Sequence, residues 1–124
     1  MEIKTNKFGR GVFATGPYQV GETIETCPVI ILSVGDTKKI NSTLLYDYYY
    51  SWGANNSQAA IALGYGSLYN HSYKPNAQYI KNLANDVIEF VSIKPISKGD
   101  EILINYNGEP SNQAPLWFDA DPEG

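Results

Sequence analysis

Hydrophobic and polar positions along this 124-residue chain alternate in short runs, broken at close intervals by glycine, proline and asparagine. A period of two marks strands, not amphipathic helices. Residues 2–4 and 11–15 read as the first two strands, around a glycine-flanked turn at 8–11. Runs at 23–27 and 29–34 follow. They are separated by Pro28, which has no N–H for a ladder and predicts an edge or bend. Residues 35–42 read as polar loop. In 43–50, Leu44, Leu45 and Tyr48 share helical spacing, Ser42 can cap, and Tyr48-Tyr49-Tyr50 suits a strand; the segment predicts a helical turn leading into a strand. Residues 58–63 form a strand that Gly64 and Gly66 break, and 67–71 read as one helical turn. Residues 77–81 and 87–94 flank Asn82-Leu83-Ala84-Asn85-Asp86, the clearest hairpin in the chain, and 101–106 form the last strand. Many short strands at this spacing predict a mainly β fold, and the length predicts one domain.

Composition changes this picture little. The hydrophobic share, 43%, is ordinary for a globular domain, and a chain this long buries roughly two-thirds of its unfolded surface. Ten tyrosines stand out. They suit walls that are apolar yet able to hydrogen-bond, and they also simply suit strands. The single cysteine, Cys27, excludes an internal disulfide and a cysteine-based zinc site, and one histidine gives no metal-ligand cluster. No run resembles a signal peptide or spans a membrane, so an intracellular setting is expected, with no membrane partner. Net charge is −4, and every charged residue after Lys98 is acidic. That balance argues against direct nucleic-acid binding and fits a lysine-rich partner.

Three segments carry candidate chemistry. Gly9-Arg10-Gly11 brings backbone groups within reach of a ligand. Asn70-His71-Ser72-Tyr73-Lys74-Pro75-Asn76 holds the one histidine, with Asn70 beside it. Gly99-Asp100-Glu101-Ile102-Leu103-Ile104-Asn105-Tyr106 is an alternating strand that ends on a tyrosine. Singly, each has a plain structural reading: a hairpin turn, a satisfied core histidine, a strand-end tyrosine. Together and in this order they resemble the SET-domain family of protein lysine methyltransferases, in its minimal single-domain viral and bacterial form. The resemblance runs from about residue 7 to residue 117, nearly the whole chain.

The resemblance implies a SET-domain fold of several small curved sheets with a C-terminal pseudoknot, over residues 1–118, and an acidic tail at 119–124. It implies transfer of a methyl group from S-adenosylmethionine to a protein lysine, on a histone or another basic protein. Tyr106 falls at the catalytic position and would also touch the cofactor. Backbone atoms of Gly9, Arg10 and Gly11, the side chain of Asn70 and the backbone of His71 would bind the cofactor, with Trp117 packing over the adenine. Tyr48 and Tyr65 are candidate walls of a substrate channel, or simply core. Ile104 stands where a larger aromatic restricts methyl number, which implies more than monomethylation. Tyr73 replaces a cysteine that zinc-binding relatives carry, in keeping with a site without metal. Some minimal relatives form homodimers, and their setting implies cytoplasm or a host nucleus. The alternative is a SET-shaped binding or regulatory module with negligible turnover.

Overall fold

The computed structural model describes residues 1–6 and 9–116. Strands β1 (Glu2–Asn6) and β2 (Gly9–Phe13) pair antiparallel as an N-terminal ribbon. The main sheet has five strands in the order β4-β5-β3-β8-β7: β3 (Thr23–Ile31), β4 (Tyr50–Trp52), β5 (Gln58–Ala62), β7 (Ala77–Asn82) and β8 (Val87–Ser92). A third sheet is a short parallel pair, β6 (Asn70–His71) with β9 (Leu103–Ile104). The predicted hairpin is β7–β8, with Asp86 in a left-handed conformation (φ 54°) at its turn.

Pro28 does not split the chain into two strands. β3 runs through it and changes partner there: up to Pro28 the strand pairs with β8, and from Val29 to Ile31 with β5. Proline's missing donor is therefore spent at the handover between two ladders. Residues 35–42 depart from the expected loop. Helix α1 (Val34–Ile40) forms because the Ser33 side chain caps the Asp36 N–H at 3.1 Å. Thr37, the one buried residue of α1, faces β5 and accepts the Ala59 N–H on its hydroxyl at 2.8 Å. A 3-10 turn at Leu44–Asp47, capped by Thr43, then leads into β4. Residues 67–71, expected as a helical turn, instead end in strand β6, because a parallel partner that lies over 30 residues later supplies its hydrogen bonds.

The main sheet curls until its edge strands face each other. The Tyr50 ring on β4 lies 4.9 Å from Tyr79 on β7, and Lys81 Nζ donates to Ser51 Oγ at 3.0 Å across the same gap. Beneath the curl lies one core that includes Val12, Cys27, Tyr69, Ile88, Phe90, Ile102 and Ile104. The last strand segment ties the sheets together. Ile102 N–H donates to Val12 O at 2.8 Å and Glu101 bridges Phe13, while Leu103 and Ile104 align with Asn70 and His71. Residues 107–116 then fold back over Tyr73, whose hydroxyl donates to Ala114 O at 2.9 Å. This interlocking of small curled sheets accords with the expected fold class.

Candidate active site

The spacing of the Asn70–Asn76 segment has a structural reason in this fold. Three of its side chains hold the final strand. Asn76 Nδ2 donates to Glu101 O at 2.9 Å, and Asn76 Oδ1 accepts the Leu103 N–H at 2.8 Å. His71 is buried, and its Nδ1 accepts the Tyr106 N–H at 3.0 Å. Asn70 Nδ2 donates to Glu101 Oε2 at 2.7 Å and to Arg10 O at 2.8 Å. Asn70 therefore joins the glycine-rich strand β2 to the segment that ends in Tyr106. Both of its amide hydrogens are spent, which leaves the side-chain carbonyl as its acceptor.

Gly11 is required at this junction. A Cβ there would overlap the Glu101 carboxylate and come within 3.0 Å of Asn70 Nδ2. Gly9 holds φ +107°, a conformation that glycine alone adopts without strain.

Tyr106 is anchored from several directions. Its hydroxyl donates to Tyr69 O at 2.6 Å, and its carbonyl accepts the Tyr79 hydroxyl at 3.0 Å. Burial, followed by the fields of Tyr48, Glu101 and Asp47, pushes its pKa well above the ordinary tyrosine range. It stays a neutral phenol and is no general base. Desolvation lowers the His71 pKa. With Nδ1 accepting a backbone N–H, the neutral ring carries its hydrogen on Nε2, which is buried and has no partner among the described residues.

Two cavities meet at Tyr106. The larger, about 510 Å³, is lined by Gly9, Arg10, Tyr48, Ser67, Leu68, Asn70 and Tyr106. The smaller, about 200 Å³, lies in the gap between the sheet edges, among Tyr48, Tyr50, Tyr69, Tyr79, Lys81 and Tyr106, with Asp47 on the same wall. Tyr48, Ser67 and Tyr106 line both and form the partition. The ring tips are fixed by backbone: the Tyr50 hydroxyl donates to Gly66 O at 2.7 Å, and Tyr79, its own pKa raised to about 12 by burial, donates to Tyr106 O.

Two matches decide the family. The SET-domain family model covers residues 9–107. A Schizosaccharomyces pombe histone-lysine N-methyltransferase specific for H3 lysine 37 is 32% identical over 121 residues, which is 96% of this chain and 77% of the relative. The chain belongs to the SET-domain family. Solved SET-domain structures agree. A Plasmodium falciparum protein described as a candidate histone methyltransferase superposes with a TM-score of 0.67 at 33% identity, over 87% of this chain and 97% of that one. Cryptosporidium CpSET8 superposes with a TM-score of 0.65 at 25% identity, over 84% of this chain and 56% of that one. This SET domain is a protein-lysine methyltransferase.

Within the SET domain, Gly9, Arg10, Asn70, Tyr48 and Tyr106 gather around the two cavities, and Gly11 and His71 brace them. Tyr65 and Ile104 take other places. Tyr65 lines neither cavity; its hydroxyl donates to Met1 O at 3.3 Å and its N–H to Glu25 Oε2 at 3.0 Å, because the turn after Gly64 directs it toward the N-terminus. Ile104 is fully buried in the core on the parallel pair and lines neither cavity. Tyr50, Tyr69 and Tyr79 line the smaller cavity instead. Their residue type was the only signal for them in the sequence, and ten tyrosines do not say which three converge. Trp117 lies outside the described residues, as does the boundary at 118–119.

Proposed function

We propose that the chain transfers a methyl group from S-adenosylmethionine to the ε-amine of a protein lysine, with the cofactor in the larger cavity and the lysine in the smaller. The observation that carries this reading is the shared partition of Tyr48, Ser67 and Tyr106. Two ligands that approach from different sides meet there, one site large enough for a cofactor and the other narrow and aromatic.

The chemistry of the larger site fits S-adenosylmethionine. The Asn70 side-chain carbonyl and nearby backbone at Gly9, Arg10 and Gly11 are acceptors and dipoles suited to an amino-acid group, and Gly11 leaves that cradle open. On this reading the backbone of His71, next to Asn70, would meet the adenine. When bound, the cofactor supplies an electrophilic methyl group on a sulfonium. The chain supplies position and dryness. Tyr50, Tyr69 and Tyr79 replace water around the entering side chain, and their hydroxyls are committed to other protein groups. A lysine of ordinary pKa costs about 4 kcal/mol to deprotonate at pH 7.4. Desolvation in this channel opposes the charged form and lowers that cost. Tyr106, locked to Tyr69 O, fixes the partition where the amine meets the methyl, so its contribution is geometric and electrostatic. Histone H3 is the first substrate to test, since the yeast relative acts on it.

The test is calorimetric titration of S-adenosylmethionine and S-adenosylhomocysteine into wild type and Asn70→Ala, then incubation with core histones and mass spectrometry. Binding that is lost in the variant, with methyl-lysine formed by wild type, supports the reading. Cofactor binding without methyl transfer to any basic protein supports the regulatory-module alternative. Absence of binding overturns the cofactor assignment.

A further inference from the structure

A lysine already sits in the wall of the cavity assigned to the substrate lysine. Lys81 is on β7, two residues beyond Tyr79 and on the same face. It is half-buried, and its Nζ donates to Ser51 Oγ at 3.0 Å on the facing edge strand. It makes no ion pair among the described residues. Desolvation lowers its pKa. An ammonium in a pocket meant for an ammonium is unfavourable unless the second amine arrives neutral. The cavity of about 200 Å³ would be only ~7 Å across as a sphere. Charges within about 4–6 Å shift one another's protonation by one unit or more.

We propose that Lys81 and the incoming lysine form a coupled pair of amines that holds a single proton, and that Lys81 keeps it. This rests on the assignment of the smaller cavity to the substrate. The groups facing Lys81 set the asymmetry. On β4, Ser51 accepts from its Nζ and Tyr50 is a phenol; on the segment from the 3-10 turn to β4 lie Tyr46, Asp47, Tyr48 and Tyr49; Tyr69, Tyr79 and Tyr106 complete the wall. On β8, Lys81 pairs with Ile88, and Glu89 stands opposite Ile80, the neighbour on the other face. Asp47 is the one carboxylate in the wall among the described residues. Among the described residues the Ser51 hydroxyl is bonded to Lys81 alone, and that bond favours the proton on Lys81.

As the substrate ammonium enters, it loses one proton to solvent and Lys81 retains its own. The freed lone pair forms the new N–C bond as the methyl–sulfur bond breaks, and that bond's electron pair stays on sulfur. The product is a methylammonium beside Lys81, and the repulsion between them favours release. Like-charge neighbours activate amine nucleophiles in this way.

Two measurements test it on the intact chain saturated with S-adenosylhomocysteine or S-adenosylmethionine. The first uses n-butylamine, 13C-labelled next to nitrogen, as the lysine-tip probe, with the S-adenosylhomocysteine complex, which lacks the sulfonium charge. The titration midpoint of the bound probe should lie about one unit or more below its solution value in wild type and Lys81→Arg. It should return most of the way in Lys81→Met. The second is the pH–rate profile of methyl transfer to histone H3. Its rising limb should move up by about one unit in Lys81→Met but not in Lys81→Arg, and the rates should converge at high pH. An unshifted bound probe, no probe binding to the saturated protein, an unmoved profile in Lys81→Met, or methyl groups found on Lys81 itself would each overturn the proposal. Failure of S-adenosylhomocysteine to bind would instead overturn the functional reading on which it rests.

Discussion

Replacing Gly11 with alanine probes the proposed cofactor cradle at its tightest point. The new methyl group would overlap Glu101 Oε2 and crowd Asn70 Nδ2 at 3.0 Å. The Glu101 carboxylate is the end of a flexible side chain, so it would move and the backbone would not. Moving it breaks the 2.7 Å hydrogen bond from Asn70. A hydrogen bond to a charged group contributes about 1.5–3 kcal/mol. The other amide hydrogen of Asn70 stays on Arg10 O, so the side chain is loosened, not lost. Cofactor affinity should fall roughly 10–100-fold, since each 1.4 kcal/mol is about tenfold. Stability should fall by about 1–2 kcal/mol, in the range usual for a single local disruption. Gly16→Ala is the control, because a Cβ there meets nothing within 4 Å. The assay is calorimetric titration of S-adenosylmethionine with parallel thermal melts. Wild-type affinity in Gly11→Ala would refute the claim that the Asn70–Glu101 junction shapes the cofactor site. An equal loss in Gly16→Ala would show that the effect is not local.

Other outcomes follow from the same geometry. Tyr106→Phe removes the donor to Tyr69 O, so methyl transfer measured by mass spectrometry should drop by about 100-fold or more, while cofactor affinity changes little. Asn76→Ala breaks two hydrogen bonds that hold the last strand; urea denaturation should show a loss of about 2–4 kcal/mol. His71 has a lowered pKa in the fold, so below about pH 6.5 the unfolded chain binds a proton that the folded chain refuses. Its contribution is complete above that pH and is lost as pH falls toward the folded value. Denaturation curves between pH 7 and 5 should show this drop in wild type and a smaller one in His71→Gln.

Much of the fold was legible because strand formation here is local. Alternation marked the strands, Asn82–Asp86 marked the hairpin, and the cap at the 3-10 turn moved by a single residue, from Ser42 to Thr43. The errors fell where distant partners decide. Asn70–His71 is a strand because Leu103–Ile104 lies beside it, and β3 passes through Pro28 because two different strands take its hydrogen bonds on either side. Helix α1 was hidden in a polar stretch whose buried threonine makes sense only against β5.

The site divides in the same way. Asn70, His71 and Tyr106 were recognisable from the chain alone, because the motifs that hold them resemble the SET-domain signatures; Glu101 was not, because its bond to Asn70 exists only once the last strand is in place. Which aromatics line the smaller cavity was not legible either. Tyr65 and Tyr79 are equally plausible as sequence, yet one points to the N-terminus and the other donates to the Tyr106 carbonyl. Lys81 reads as an ordinary strand lysine until the sheet curls and brings Ser51 to its tip. Residue type and local order specify what chemistry each side chain can do. The curl of the sheet, set by packing over the whole core, decides which side chains do it together.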